Sequence, residues 1–189
     1  MRTIADYRQL NDALFHAGNN SGSLNEWEDL YNRLHFYVLD LKKNKEGILS
    51  YKIGIRSLDR PGKQMLGVTV VSPSPLQMKN HSGYCTFILR DTDKMAEKNP
   101  SPRDLEISNN LNYDIYRLSL AVEGKGWNAT LMNNFSSLKP GNSENIPVYI
   151  SHDKYCSGSA RVTLTARSEN GPEKSVSSVL KIKAGADKK

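Results

Sequence analysis

The sequence predicts a mainly β protein, an antiparallel β-sandwich preceded by a short α+β segment. Three observations carry that prediction. From Asp114 to Lys183 apolar residues recur at every second position. Turn-forming residues break that run about every 8–12 residues. Residues 1–60, by contrast, mix helical and hairpin spacings. A period of two puts alternate side chains on opposite faces of a strand, so that one face can be buried. Regular punctuation at that interval builds sandwiches or barrels rather than βαβ units.

Taken in chain order, Thr3 stands where it could cap a helix carrying Ile4, Tyr7, Leu10 and Leu14, which ends in the loop Gly18-Asn19-Asn20-Ser21-Gly22. Ser23 and Glu26 have the spacing of a capping box, and Trp27, Leu30, Tyr31 and Leu34 follow at helical intervals, predicting a second helix. His35 to Lys42 and Ile48 to Ile55 alternate around Asn44-Lys45-Glu46-Gly47, a hairpin signal. Two helices and a hairpin make a thin core. Residues 1–62 are therefore expected to be the end of a larger domain, followed by a sandwich over 63–185 and a tail over 186–189.

The sandwich opens with Leu66, Val68 and Val70, then Ser72-Pro73-Ser74-Pro75, and Tyr84 to Arg90 reads as the next strand. A polar insert, Asp91 to Asn112, separates it from Leu118, Leu120 and Val122. An insert of that length in a compact domain is functional or mobile. Gly124-Lys125-Gly126 turns into Trp127, Ala129 and Leu131, and Lys139-Pro140-Gly141-Asn142 turns into Ile146, Val148 and Ile150. Val162, Leu164 and Ala166 form the next strand, and Asn170-Gly171-Pro172 leads into Val176, Leu180 and Ile182.

Composition narrows the function classes. The chain has 189 residues and a formal net charge of +6, with lysines gathered at its end (Lys174, Lys181, Lys183, Lys188, Lys189). Solvated lysines on an edge strand and tail serve solubility and edge protection. No basic motif interleaved with stacking aromatics is visible, so no nucleic-acid partner is expected. No apolar run approaches the roughly 20 residues of a membrane span. Met1 to Tyr7 lacks the basic-then-apolar pattern of a secretory leader.

Candidate chemistry is sparse. His16, His35, His81 and His152 have no companion at metal-ligand spacing, so solvated or packing roles are the plainer reading and no metal or cofactor is expected. Asp91 and Asp93, with Asp104 and Glu106, could offer oxygens to calcium, but no EF-hand spacing exists. His16 with Asn19 and Asn20 could border a catalytic domain, although Gly18 reads simply as a helix C-cap. Trp127 alternates with Ala129 and Leu131, which favours a core anchor over a sugar-stacking platform. Cys85 and Cys156 allow one disulfide, with two free thiols the plainer alternative. Four Asn-X-Ser/Thr sequons begin at Asn19, Asn80, Asn128 and Asn134 and would matter in a eukaryotic secretory pathway, but in so Asn- and Ser-rich a chain coincidence is the plainer reading. No nucleophile elbow, phosphate loop or dinucleotide fingerprint is present, and no catalytic residue is assigned.

The order of elements carries a resemblance. Phe87-Ile88-Leu89-Arg90-Asp91-Thr92, Gly126-Trp127-Asn128-Ala129, Leu138-Lys139-Pro140-Gly141 before Ile146-Pro147-Val148, and Val162-Thr163-Leu164-Thr165-Ala166-Arg167-Ser168 follow one another over residues 66–183. This resembles the alpha-galactosidase-associated (NPCBM-associated) Ig-like accessory domains of bacterial extracellular hydrolases. The resemblance implies an Ig-like, extracytoplasmic, non-catalytic module that spaces or docks an enzyme, with carbohydrate as a further contact. The expected partner is an upstream catalytic domain of the same protein. The alternative is the C-terminal part of a hydrolase whose catalytic residues lie mostly upstream.

Overall fold

The computed structural model describes residues 26–59, 67–71, 76–79, 81–92, 113–154, 156 and 158–183. These residues are all-β, with twelve antiparallel strands and no helix among them. The chain divides into two compact units, 1–60 and 61–189.

The first unit is a three-stranded sheet of order β1-β2-β3, with β1 Glu26–Asp29, β2 Leu34–Lys43 and β3 Leu49–Ser57. The expected hairpin is β2–β3. Asn44 Oδ1 accepts from the amides of Glu46 and Ile48, and Gly47 takes φ 87° to close the turn. A register shift between Val38 and Asp40 explains why Tyr37, Val38 and Leu39 are buried in succession.

The helix expected over Ser23 to Leu34 is replaced, within the described residues, by β1 and a turn. Asp29 accepts from the Asn32 amide at 3.0 Å and from its side chain at 2.7 Å, and Arg33 adopts φ 57°. Such local polar bonds offer the backbone an alternative to helix. Leu30 and Tyr31, the supposed apolar face, are 66% and 94% exposed. The first expected helix, Ile4 to Leu14, lies outside the described residues.

The second unit is the sandwich. One sheet has the order β4-β6-β10-β8 with β5 also on β6; the other has the order β12-β11-β7-β9. The strands are β4 Val68–Val71, β5 Gln77–Lys79, β6 Ser82–Asp91, β7 Asp114–Glu123, β8 Trp127–Leu131, β9 Phe135–Leu138, β10 Ser143–His152, β11 Ser159–Ser168 and β12 Ser175–Lys183. The two sheets enclose one core of Cys85, Phe87, Leu89, Tyr116, Leu118, Trp127, Val148, Ile150, Val162, Leu164 and Ala166, among others. Of the inward positions expected from periodicity, Leu118, Trp127, Val148, Val162 and Leu164 are buried; Leu120 and Val122 are half-buried against the same core. Trp127 is a core anchor, as its alternation predicts.

Candidate functional site

Two polar clusters sit within the sandwich. The first lies at the two strand ends that flank residues 93–112 in the sequence. Asp91 closes β6 and Asp114 opens β7, so the two carboxylates that flank the insert stand at strand ends. Both are 1% exposed, and fully buried Tyr116 donates its hydroxyl to Asp91 Oδ2 at 2.9 Å. Asp114 Oδ1 accepts from the Ile115 amide and from Asn170 Nδ2, each at 2.9 Å, while Oδ2 has no hydrogen bond. Burial pushes the Asp114 carboxyl above the usual carboxylate range, against the pull of the Ser168 hydroxyl and the other donors around it. Burial, then the charges of Asp114 and Asp91, raise the Tyr116 phenol far beyond its ordinary value, so it stays a donor. This arrangement holds protons in place; it contains no nucleophile paired with a base.

The second cluster gathers three rings at one end of the first sheet. The His152 amide donates to the His81 carbonyl at 2.9 Å, and their rings meet edge to face at 5.1 Å. Trp127, paired with His152 across β8 and β10, lies 4.7 Å from the same imidazole. A carbonyl can only accept, so the 2.9 Å contact between His152 Nδ1 and the Asp153 oxygen puts a proton on Nδ1. His81 Nδ1 and Trp127 Nε1 are buried without hydrogen-bond partners. Sequence reasoning kept His81 and His152 apart because 71 positions separate them; no local spacing could have joined them.

The remaining candidates fall elsewhere. His35 is buried in the first unit, stacked on Tyr37, with Glu26 3.0 Å from Nε2 and Glu28 3.3 Å from Nδ1. Cys85 and Cys156 are free thiols. His16, Asn19, Asn20, Asp93, Asp104 and Glu106 lie outside the described residues, so Asp91 is the only described member of the proposed calcium set, and it is turned toward Tyr116.

The fold and these clusters define a β-sandwich domain joined to a small three-stranded unit. Residues 67–184 match the family model of the peptidase M6-like domain, and the chain belongs to that family. Residues 1–58 match a model described as a middle domain. A protein of Arthroderma benhamiae named "Putative secreted metallopeptidase" is 33% identical over 190 residues, which covers 96% of this chain and 27% of that protein. The chain thus spans well under half of that relative's length. A crystal structure of a FixG-related protein from Vibrio parahaemolyticus aligns with TM-score 0.41 and 11% identity, over 62% of this chain and 94% of that one.

These matches overturn the resemblance to alpha-galactosidase-associated (NPCBM-associated) Ig-like accessory domains. With it goes the expectation of a non-catalytic module docking a bacterial hydrolase. The elements that carried the resemblance are general sandwich chemistry. Trp127 starts a core strand, Gly141 supplies the positive φ of 80° before β10, and Val162 to Ala166 form the middle of β11. The relative is named as a secreted protein, in keeping with the expected extracellular location.

That relative's name also implies a metal, and the described residues do not fit one. Among them no three or more His, Cys, Asp or Glu side chains converge as a metal would require. His81 and His152 are a pair, and Asp91 Oδ2 and Asp114 Oδ1 face the donors of Tyr116, Asn170 and the Ile115 amide rather than one another.

Proposed function

We propose that this chain is the peptidase M6-like portion of a secreted, metal-dependent peptidase. In this reading it acts together with a metal-bearing portion of the same polypeptide held by other residues. The observation that carries the reading is the match of 67–184 to the peptidase M6-like domain, joined to 33% identity across nearly the whole chain with a protein named as a metallopeptidase. The small unit supports an internal partner. Its β3 carries Leu49, Ile53 and Ile55 at 50%, 43% and 60% exposure, an apolar surface of the kind that another portion of a polypeptide covers.

The test is deletion of residues 67–184 from the secreted polypeptide that carries them, with chelator-sensitive peptide hydrolysis measured in the medium. The expected result is loss of at least tenfold in kcat/KM, with 1,10-phenanthroline abolishing what the intact protein shows. Unchanged hydrolysis by a folded, secreted deletion variant would sink the reading.

A further inference from the structure

We propose that Asn128 is a site of N-linked glycosylation, and that the glycan lies over the exposed Tyr149–Tyr84 pair on the outer face of the first sheet. The inference rests on the secreted reading above and goes beyond it.

Two of the four sequons fall among the described residues, and the fold separates them. At Asn128-Ala129-Thr130 both polar side chains are exposed on β8, while Ala129 turns toward the core. At Asn134-Phe135-Ser136 the asparagine is half-buried, and Phe135 and Ser136 are each 3% exposed. The Ser136 hydroxyl is bonded to Glu144 Oε2, and the Asn134 carbonyl accepts from the Leu118 amide at 2.8 Å. A branched, solvated saccharide on Asn134 would have to open β9, whereas one on the exposed Asn128 leaves the strands undisturbed.

The surface around Asn128 fits a sugar. Asn128 lies opposite Ser151 and Thr130 opposite Tyr149, so Tyr149 is diagonal to Asn128 on one face, about 7–8 Å away by sheet geometry. Tyr149 is paired in turn with Tyr84; their rings are 6.4 Å apart and tilted, and they are 47% and 46% exposed. A pyranose has an apolar C–H face that packs on an aromatic ring while its hydroxyls stay in water, and tyrosine offers both surfaces at once. Met132, 65% exposed, adds apolar surface just past the end of β8. β8 also ends its sheet, so that among the described strands one side of its backbone is an edge. An edge strand flanked by exposed Met and Tyr invites pairing with another chain, and a bulky polar glycan blocks it.

The reaction balances with a lipid-pyrophosphate-linked oligosaccharide as donor. The Asn128 amide nitrogen bonds to the anomeric carbon, the bond from that carbon to the pyrophosphate oxygen breaks, and one amide proton passes to a base as the lipid pyrophosphate leaves.

The test uses the full chain behind a cleavable secretory leader, translated with microsomes and also expressed in a yeast secretion host. Peptide-N-glycosidase digestion in heavy-oxygen water converts each formerly modified asparagine to labelled aspartate, read by peptide mass spectrometry. Asn128 is expected to be labelled in most molecules, and N128Q is expected to remove one glycan-sized step. Removing the glycan should lower the unfolding temperature of the wild-type chain and leave Tyr149→Ala unaffected. An unlabelled Asn128 in translocated chain would overturn the site, and an equal thermal shift in Y149A would overturn the packing on Tyr149. A chain labelled at Asn128 but retained in the cell would support the site while counting against the secreted reading.

Discussion

Tyr116 donates its hydroxyl to Asp91 Oδ2 at 2.9 Å across 25 positions of sequence, with both side chains at 1% exposure or less. The bond ties β7 to the end of β6, and so joins the two sheets. Tyr116→Phe keeps the ring and removes the donor, leaving a buried carboxylate oxygen short of a partner. The expected cost is about 1–3 kcal/mol in urea unfolding. A loss below about 0.5 kcal/mol would show that the other contacts of Asp91 carry the load.

Asp114 makes stability depend on pH. Its folded-state carboxyl is raised by burial, so the folded chain keeps that proton to higher pH than the unfolded chain does. The contribution is therefore fully present below the ordinary carboxylate value and lost as pH rises through the raised one. Urea midpoints from acid to neutral pH should fall less steeply for Asp114→Asn than for wild type over that window. Identical slopes would remove Asp114 as the source.

Gly124 stands where the turn before β8 passes over Ala160. A Cβ there would lie 2.5 Å from the Ala160 Cβ and 2.9 Å from its Cα. Because an alanine Cβ and the backbone behind it cannot swing aside, Gly124→Ala should destabilise by about 1–3 kcal/mol. Gly158→Ala, with nothing within 4 Å, should stay within about 0.5 kcal/mol and serves as the control in the same thermal melts.

The two thiols should differ in reactivity. Cys85 is fully buried in β6, and desolvation pushes it up to about 11. Cys156 is partly exposed, its Sγ 3.4 Å from the Lys125 carbonyl. A thiol reagent at mild alkaline pH should label one cysteine per native chain quickly, identified as Cys156 by peptide mapping. Cys85 should react only after unfolding. Two fast thiols would contradict the burial of Cys85.

The sandwich could be read from the sequence where one face of a strand is buried and the other is wet. Val148 and Ile150, or Val162 and Leu164, show this alternation because β10 and β11 lie central in their sheets with solvent on the far side. β9 escaped that reading because Phe135, Ser136, Ser137 and Leu138 are all buried, which leaves no alternation to detect. The segment Trp27 to Leu34 misled it because helical spacing of apolar residues does not register the Asp29–Asn32 bonds that close a hairpin instead.

The sequence by itself determined the all-β character of the described residues between 67 and 183, the inward register of most core strands and the β2–β3 hairpin, since these follow from local period and turn chemistry. Tertiary structure alone decided which polar groups meet. Asp91 reaches Tyr116, His81 reaches His152, and Asn128 comes to lie beside Tyr149 only through strand pairing between distant segments. Period and composition describe a residue's own neighbourhood along the chain; a site is made by residues that only sheet order brings together.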